Sequence, residues 1–340
     1  MAAINLEMTD RIPKTEYISH DEFILKTTGI DTHDVSKKAL IWPALAKSLD
    51  YDFIWNTCEM PLTRGKVTKM GHAVWSEVDK KNDEIYCPFK TVDEVLDFDP
   101  VEEYGIPDKK TMAEYFEKLY NENMHVLYPD CVWPAGRYNT LFSACIRTFG
   151  WDMFLSSVPY GYERFDRVLE GFYRIAKAEV DVWAELEIKV YLTHDDIVWT
   201  SGAVFHPDWY RKYIFPRYKR LWAPLKEAGT KVLFCSDGNF TEFVDDIAEA
   251  GADGFIFEPT TDLGYIVERY GKTKVMIGNI DCRILQFGTK EDIYNEVRRC
   301  ADLGRDCPGY FFAVGNHIPN GIPLENVEYY FECCDKLGRR

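Results

Sequence analysis

From Glu187 onward the chain repeats one unit five times: a short apolar run followed by an amphipathic stretch of helical period. EIKVYL (Glu187–Leu192) leads to HPDWYRKYIFPRYKRLWAPLKEAG (His206–Gly229), and KVLFCS (Lys231–Ser236) leads to TEFVDDIAEAG. GFIFE (Gly254–Glu258) precedes DLGYIVERYG, KVMIGN (Lys274–Asn279) precedes KEDIYNEVRRCADLG, and GYFFAVGN precedes LENVEYYFECCDKLG. Strands joined through helices run parallel, because a parallel pair needs a long crossover. Runs that are apolar almost throughout suit strands covered on both faces. Pro216 predicts a bend in the first helical stretch, and Gly251 a stop in the second.

The first half is less regular. FIWNT (Phe53–Thr57) reads as a strand, Thr111–His125 as a helix, and Arg167–Leu186 as a long amphipathic helix. No Gly/Ser linker or low-complexity segment divides the 340 residues. A doubly wound sheet would want a Gly-rich phosphate loop after its first strand. Neither G-x-G-x-x-G nor G-x-x-x-x-G-K-[ST] occurs. The expectation is therefore one α/β domain over residues 1–340, a (β/α)8 TIM barrel with N-terminal elaborations, residues 1–50 forming an extension packed on it.

Charge narrows the partners. A net charge of −16 disfavours a nucleic-acid backbone, whose phosphates need a basic footprint. No run approaches the roughly 18 apolar residues of a membrane span, and MAAINLEMTDR lacks the basic and apolar regions of a signal peptide. The 10 cysteines are then expected as reduced thiols in the cytoplasm; no C-x-x-C pair occurs, and Cys333 and Cys334 fall in a helical pattern that favours packing.

Barrel active sites lie at the C-terminal ends of the strands. Here those ends read His194-Asp195-Asp196, Cys235-Ser236-Asp237-Gly238-Asn239, Glu258, Asn279 with Asp281, and Asn316-His317. A lone Asp after a strand is ordinarily a helix N-cap, the plain reading of Asp262 and Asp281. Convergence of Cys, His and acids on one rim points instead to a shared cavity. His194 is either a core histidine tied to backbone or an imidazole oriented by the acids beside it. Cys235 and Asp237 bracket one residue, so on an extended chain both point the same way. With Glu258 or His317 they make three candidate ligands for zinc and leave a fourth position open; the alternative for Cys235 is a small buried apolar residue. Trp133, Trp151, Trp199 and Trp209 fall in or beside expected loops, where some can line a pocket for a flat substrate.

The run HDDIVWTSGAVFHPDWYRKYIFPRYKRLWAPLKEAG resembles the segment of the uroporphyrinogen decarboxylase superfamily in which a strand-end Asp and a Gly-rich turn precede a P-x-x-Y-R-x-[YF]-x-x-P-x-[YF]-[KR] helix. CSDGN, GADGFIFEP, VMIGNID and GNHIPNGIPLENVEYY resemble, in order, its remaining strand-end signatures. The resemblance is close over Lys189–Leu337, loose before it, and implies a (β/α)8 barrel. The superfamily holds decarboxylases and corrinoid-linked methyltransferases. The Arg-rich decarboxylase signature (R-Q-A-G-R type) is absent from RIPKTEYISHDEFILKTTGI. A substrate with many carboxylates needs several cations, which this acidic chain does not cluster. The H-x-C…C zinc set of coenzyme M methyltransferases is not reproduced either: its positions fall on Cys235, Asp237 and approximately Asn316.

The S-D-G-N form resembles relatives that demethylate aryl methyl ethers in anaerobic O-demethylase systems. The implied function is transfer of a methyl group from a methoxylated aromatic to Co(I) of a corrinoid carried by a partner protein. The residues expected to carry it are Asp237 and His194 as candidate acids, Asp196 tuning them, and Glu258, Trp199, Asn239 and His317 holding substrate. A uroporphyrinogen decarboxylase, a metal-dependent barrel hydrolase and a ligand-binding barrel without turnover are the alternatives.

Overall fold

The computed structural model describes residues 1–68 and 87–340. Its strands are β1 (Ala135–Arg137), β2 (Val190–His194), β3 (Val198–Trp199), β4 (Gly202–Ala203), β5 (Lys231–Ser236), β6 (Gly254–Phe257), β7 (Val275–Ile277) and β8 (Tyr310–Phe311). Strands β1-β2-β5-β6-β7-β8 form one parallel sheet in that order, and β3 with β4 makes a small antiparallel hairpin. The sheet is closed by two segments that pair through single bridges. Lys14 pairs in parallel with Phe312, and Phe53 in parallel with Val132. Between them the Asp52 N–H donates to the Lys14 carbonyl at 3.0 Å. The result is a closed (β/α)8 barrel. Residues 1–50, set apart by the sequence as an extension, thus contribute one of its staves.

Alternation along the strands sorts side chains to the two faces. Phe53, Val132, Val190, Leu192, Leu233, Cys235, Ile256, Val275, Ile277, Phe311 and Ala313 fill the barrel interior. Tyr191, Val232, Phe234, Phe255, Met276, Tyr310 and Phe312 face the helices and join the larger outer core. Ala3 and Ile4, in a short turn (Ala3–Asn5), pack into the interior cluster. Leu6 lies against Gly309, just before β8, so this segment stops the end of the barrel where the strands begin. The other end is the mouth.

The expected helix His206–Gly229 is two helices, Pro207–Tyr213 and Phe215–Glu227, broken at Ile214 rather than at Pro216. Proline has no N–H for the preceding turn, and its ring crowds the carbonyl four residues back, so the break falls N-terminal to it. Arg167–Leu186 extends to Tyr162–Glu185, and Thr111–His125 becomes Lys109–Glu122 with a wider turn at Asn123–Leu127. Trp133, in the irregular segment before β1, and Trp209, in the first of the two helices, are both buried. All 10 cysteines are free thiols. Among the described residues no helix is long and apolar enough to cross a membrane.

Candidate active site at the barrel mouth

His194, which ends β2, and the two acids that follow it separate to two sides of the sheet. Asp195, fully buried, turns outward and accepts backbone N–H groups from Leu141 (3.0 Å), Phe142 (3.0 Å) and Ser143 (2.6 Å). The Tyr218 hydroxyl donates to it as well, at 2.6 Å. It therefore caps the helix Phe142–Tyr160 from a distant part of the chain. Burial pushes its pKa up, and the four donors oppose that shift. His194 and Asp196, on either side of it, face the mouth, with His194 Nε2 and Asp196 Oδ1 3.5 Å apart.

The His194 ring stacks on Tyr138, centroids 4.0 Å apart and planes 4° apart, and its Nδ1 lies 3.0 Å from the Tyr138 carbonyl. A carbonyl only accepts, so Nδ1 carries the proton. Burial lowers the pKa of this histidine, while the carbonyl and nearby carboxylates oppose. A buried neutral imidazole is thus the form the site favours.

Asp237 lies two residues beyond Cys235 on the inward face. Its backbone N–H donates to Asp196 Oδ1 at 2.8 Å. Its carboxyl pKa stands well above the usual carboxylate range, first through burial and then through the charges of Asp196 and Glu258, against a hydrogen bond from Asn316. Glu258 accepts the Gly238 N–H at 2.7 Å on one oxygen and Asn316 Nδ2 at 2.6 Å on the other. Asn316 therefore bridges Glu258 and Asp237. The strand ends come this close because Gly278 and Gly315 flank the Phe257 carbonyl: a Cβ on either would sit 2.3 or 2.1 Å from that oxygen. Both have positive φ, of 134° and 82°, which glycine adopts without strain.

The rim residues divide. His317 Nε2 lies 2.6 Å from Ser19 Oγ, and its ring is 5.1 Å from that of Tyr17, which stacks on Trp42 at 5.0 Å. Trp199 is 46% exposed on the hairpin, 5.8 Å from Trp151, and its carbonyl accepts the Asn239 N–H. The Asn239 side chain accepts from Thr241 N–H at 3.1 Å, a local turn rather than an arm into the mouth. Asn279 is likewise turned away, to the Thr261 carbonyl and Arg299. Asp262 and Asp281 are N-caps, as read from the sequence.

Cys235, Asp237 and Glu258, the candidate zinc ligands, do not assemble: among the described residues no group of three His, Cys, Asp or Glu is placed to hold a metal ion. Cys235 sits one layer deeper in the apolar interior, where burial and three carboxylates push its thiol pKa well up, the reverse of a thiolate ligand. Both Glu258 oxygens already accept hydrogen bonds. The donor set does not fit zinc, so no step is assigned to it.

Two mouth residues, Tyr138 and Trp55, escape the sequence reading, and a third, Asn316, is given no part in the site by it. Tyr138 follows a three-residue strand, its hydroxyl pKa raised by burial and by Asp196 and Asp237. Asn316 reads from the sequence as a strand end and an approximate zinc-set position, not as the bridge between Glu258 and Asp237. Trp55 is two residues beyond inward-facing Phe53 and packs against the interior cluster; alternation counted from Phe53 would have found it. Together the mouth offers a carboxyl group with a strongly raised pKa beside two further acids, within aromatic walls. It can deliver a proton to a bound, uncharged ligand.

Residues 163–337 match the uroporphyrinogen decarboxylase (URO-D) family. A uroporphyrinogen decarboxylase from Pelobacter propionicus is 29% identical over 140 residues, 41% of each chain. A methylated-thiol–coenzyme M methyltransferase from Methanosarcina mazei is 28% identical over 135 residues, 39% of this chain and 35% of that protein. The alignments thus span less than half the length of these curated relatives. A methyltransferase structure from Methanosarcina mazei superposes over 98% of this chain and 96% of its own, with a TM-score of 0.65 at 17% identity, and so shares the fold. With the family matched over more than half of its length, the chain belongs to the uroporphyrinogen decarboxylase (URO-D) family.

Proposed function

We propose that the protein transfers a methyl group from a methoxylated aromatic compound to Co(I) of a corrinoid carried by a separate protein. The observation that carries this reading is the setting of Asp237: an inward carboxyl at the barrel mouth, its pKa pushed well above the usual carboxylate range by burial and by Asp196 and Glu258. A phenolate leaves poorly, and a neutral carboxyl beside the ether oxygen is the proton donor that such a reaction needs. When docked, the corrinoid supplies the nucleophile that accepts the methyl group. The fold suits an acceptor brought from outside, because Ala3 and Ile4 fill the interior at the far end and Asp237 faces the open one.

The remaining work falls to this chain. Asp237 gives its proton to the ether oxygen as the methyl–oxygen bond breaks, a contribution typically of about 10²–10⁴-fold. Asp196, held by the Asp237 N–H, fixes that strand end and disfavours early loss of the proton. Glu258 orients Asn316, which steadies the Asp237 carboxyl. His194 and Tyr138 form one wall, and Tyr17, Trp42 and His317 mark the rim over which the ring enters.

Decarboxylation of uroporphyrinogen is the second reading, favoured by the family itself. The mouth weighs against it, since the acids Asp196, Asp237 and Glu258 line it. The guanidiniums near β1 are engaged elsewhere, Arg137 with Glu179 at 2.5 Å and Arg147 with Glu59 at 3.1 Å. Product analysis separates the two. Methoxylated aromatics should yield the corresponding phenol only when a corrinoid protein is present. Conversion of uroporphyrinogen to coproporphyrinogen without corrinoid would replace this reading with the second.

A further inference from the structure

Trp55 is an inward-facing mouth residue whose polar atom the proposed chemistry leaves unused. It follows Phe53 on the same face of its stave, and Phe53 packs edge-on against Phe311 inside the barrel at 6.2 Å. The indole therefore stands one layer nearer the mouth than the interior core. Its Nε1 is buried and, among the described residues, has no hydrogen-bond partner. The mouth carboxylates take donors of their own: Asp196 the Asp237 N–H, Glu258 the Gly238 N–H and Asn316, and Asp237 also Asn316. A buried donor left without an acceptor is unfavourable, and an indole nitrogen donates only.

We infer that Trp55 recognises the substrate, its Nε1–H donating to an oxygen borne by the aromatic ring while the indole covers the ring's edge or face. This rests on the methoxylated-aromatic reading and deepens it: the site distinguishes an oxygen substituent from a methylene of the same shape. A site built to hydrogen-bond a ligand oxygen discriminates against the analogue that lacks it, because the donor is then stranded.

Calorimetric titration of the full chain with methoxybenzene and with ethylbenzene, which replaces the oxygen by CH2, tests this directly. Wild type should bind methoxybenzene about fivefold more tightly. Trp55→Phe, which keeps an aromatic ring and removes this donor, should lose most of that preference, Asp237 still facing the same oxygen. A preference that survives undiminished in Trp55→Phe would assign the donor elsewhere and overturn the inference. Equal binding by wild type would overturn it without any variant, leaving the methyl-transfer reading intact. Failure of wild type to bind either compound would remove the aromatic reading and this inference with it.

Discussion

The backbone N–H of Asp237 donates to Asp196 Oδ1 at 2.8 Å, so the strand end bearing one mouth carboxyl is pinned by the other. Two acids that would otherwise repel are thereby held near each other, and repulsion is relieved by keeping a proton on Asp237. The proposed activity depends on that proton.

Asp237→Asn keeps the size of the side chain and removes the acid. Methyl transfer should fall at least tenfold with circular dichroism unchanged. In wild type the rate should be flat at low pH and decline as pH rises through the elevated Asp237 pKa, because only the protonated form donates. The variant should lose that decline. A wild-type rate and profile in Asp237→Asn would remove the acid from this residue.

His194→Ala should also lower transfer at least tenfold. The substitution takes away the ring stacked on Tyr138 at 4.0 Å and the group 3.5 Å from Asp196. Tyr138 then loses its fixed orientation and Asp196 a neighbour. Steady-state kinetics alongside circular dichroism check this; an unchanged kcat with an intact fold would leave His194 a packing residue only.

Asp195, though it lies between His194 and Asp196, belongs to the scaffold. Asp195→Ala strands three backbone N–H groups and the Tyr218 hydroxyl in a buried setting. Stability should drop by about 3 kcal/mol, measured by urea denaturation. A loss below about 0.5 kcal/mol would show that the helix Phe142–Tyr160 does not depend on this cap.

Glu16 predicts a pH dependence of folding. It is 2% exposed on the stave that closes the barrel, where Val314 N–H and the Tyr330 hydroxyl donate to one of its oxygens. Burial pushes its pKa from 4.5 up to about 8. The folded chain thus keeps a proton that the unfolded chain releases above 4.5. Stability falls as pH rises from that value towards about 8 and levels off beyond it. Glu16→Gln should flatten this part of the profile, seen as a smaller drop in melting temperature between about pH 5 and about pH 8. An unaltered slope would place the titration elsewhere.

Much of this was legible in the chain. The five strand–helix units announce themselves because each strand is covered on both faces, and Asp262 and Asp281 cap helices that begin beside them. Other features depend on contacts between distant parts of the chain. The helix Phe142–Tyr160 takes its cap from Asp195, more than 50 residues away, so no local signal marks its start. Neighbouring acids on a strand point to opposite faces, and without knowing which face is inward, Asp195 and Asp196 cannot be told apart. The stave at Lys14 pairs through a single bridge, too short for an alternating pattern, whereas FIWNT already reads as a strand at Phe53. Asn239 ends a strand in the sequence but closes a turn in the fold.

The most direct test of the central claim mixes the purified protein with a corrinoid protein reduced to Co(I) and a panel of methoxylated aromatics, and follows the cobalt absorbance. The Co(I) signal should be lost with at least one aromatic donor, in a reaction dependent on this chain and at least tenfold slower with Asp237→Asn. A Co(I) signal that persists across a broad panel, with cognate corrinoid partners included, would contradict it.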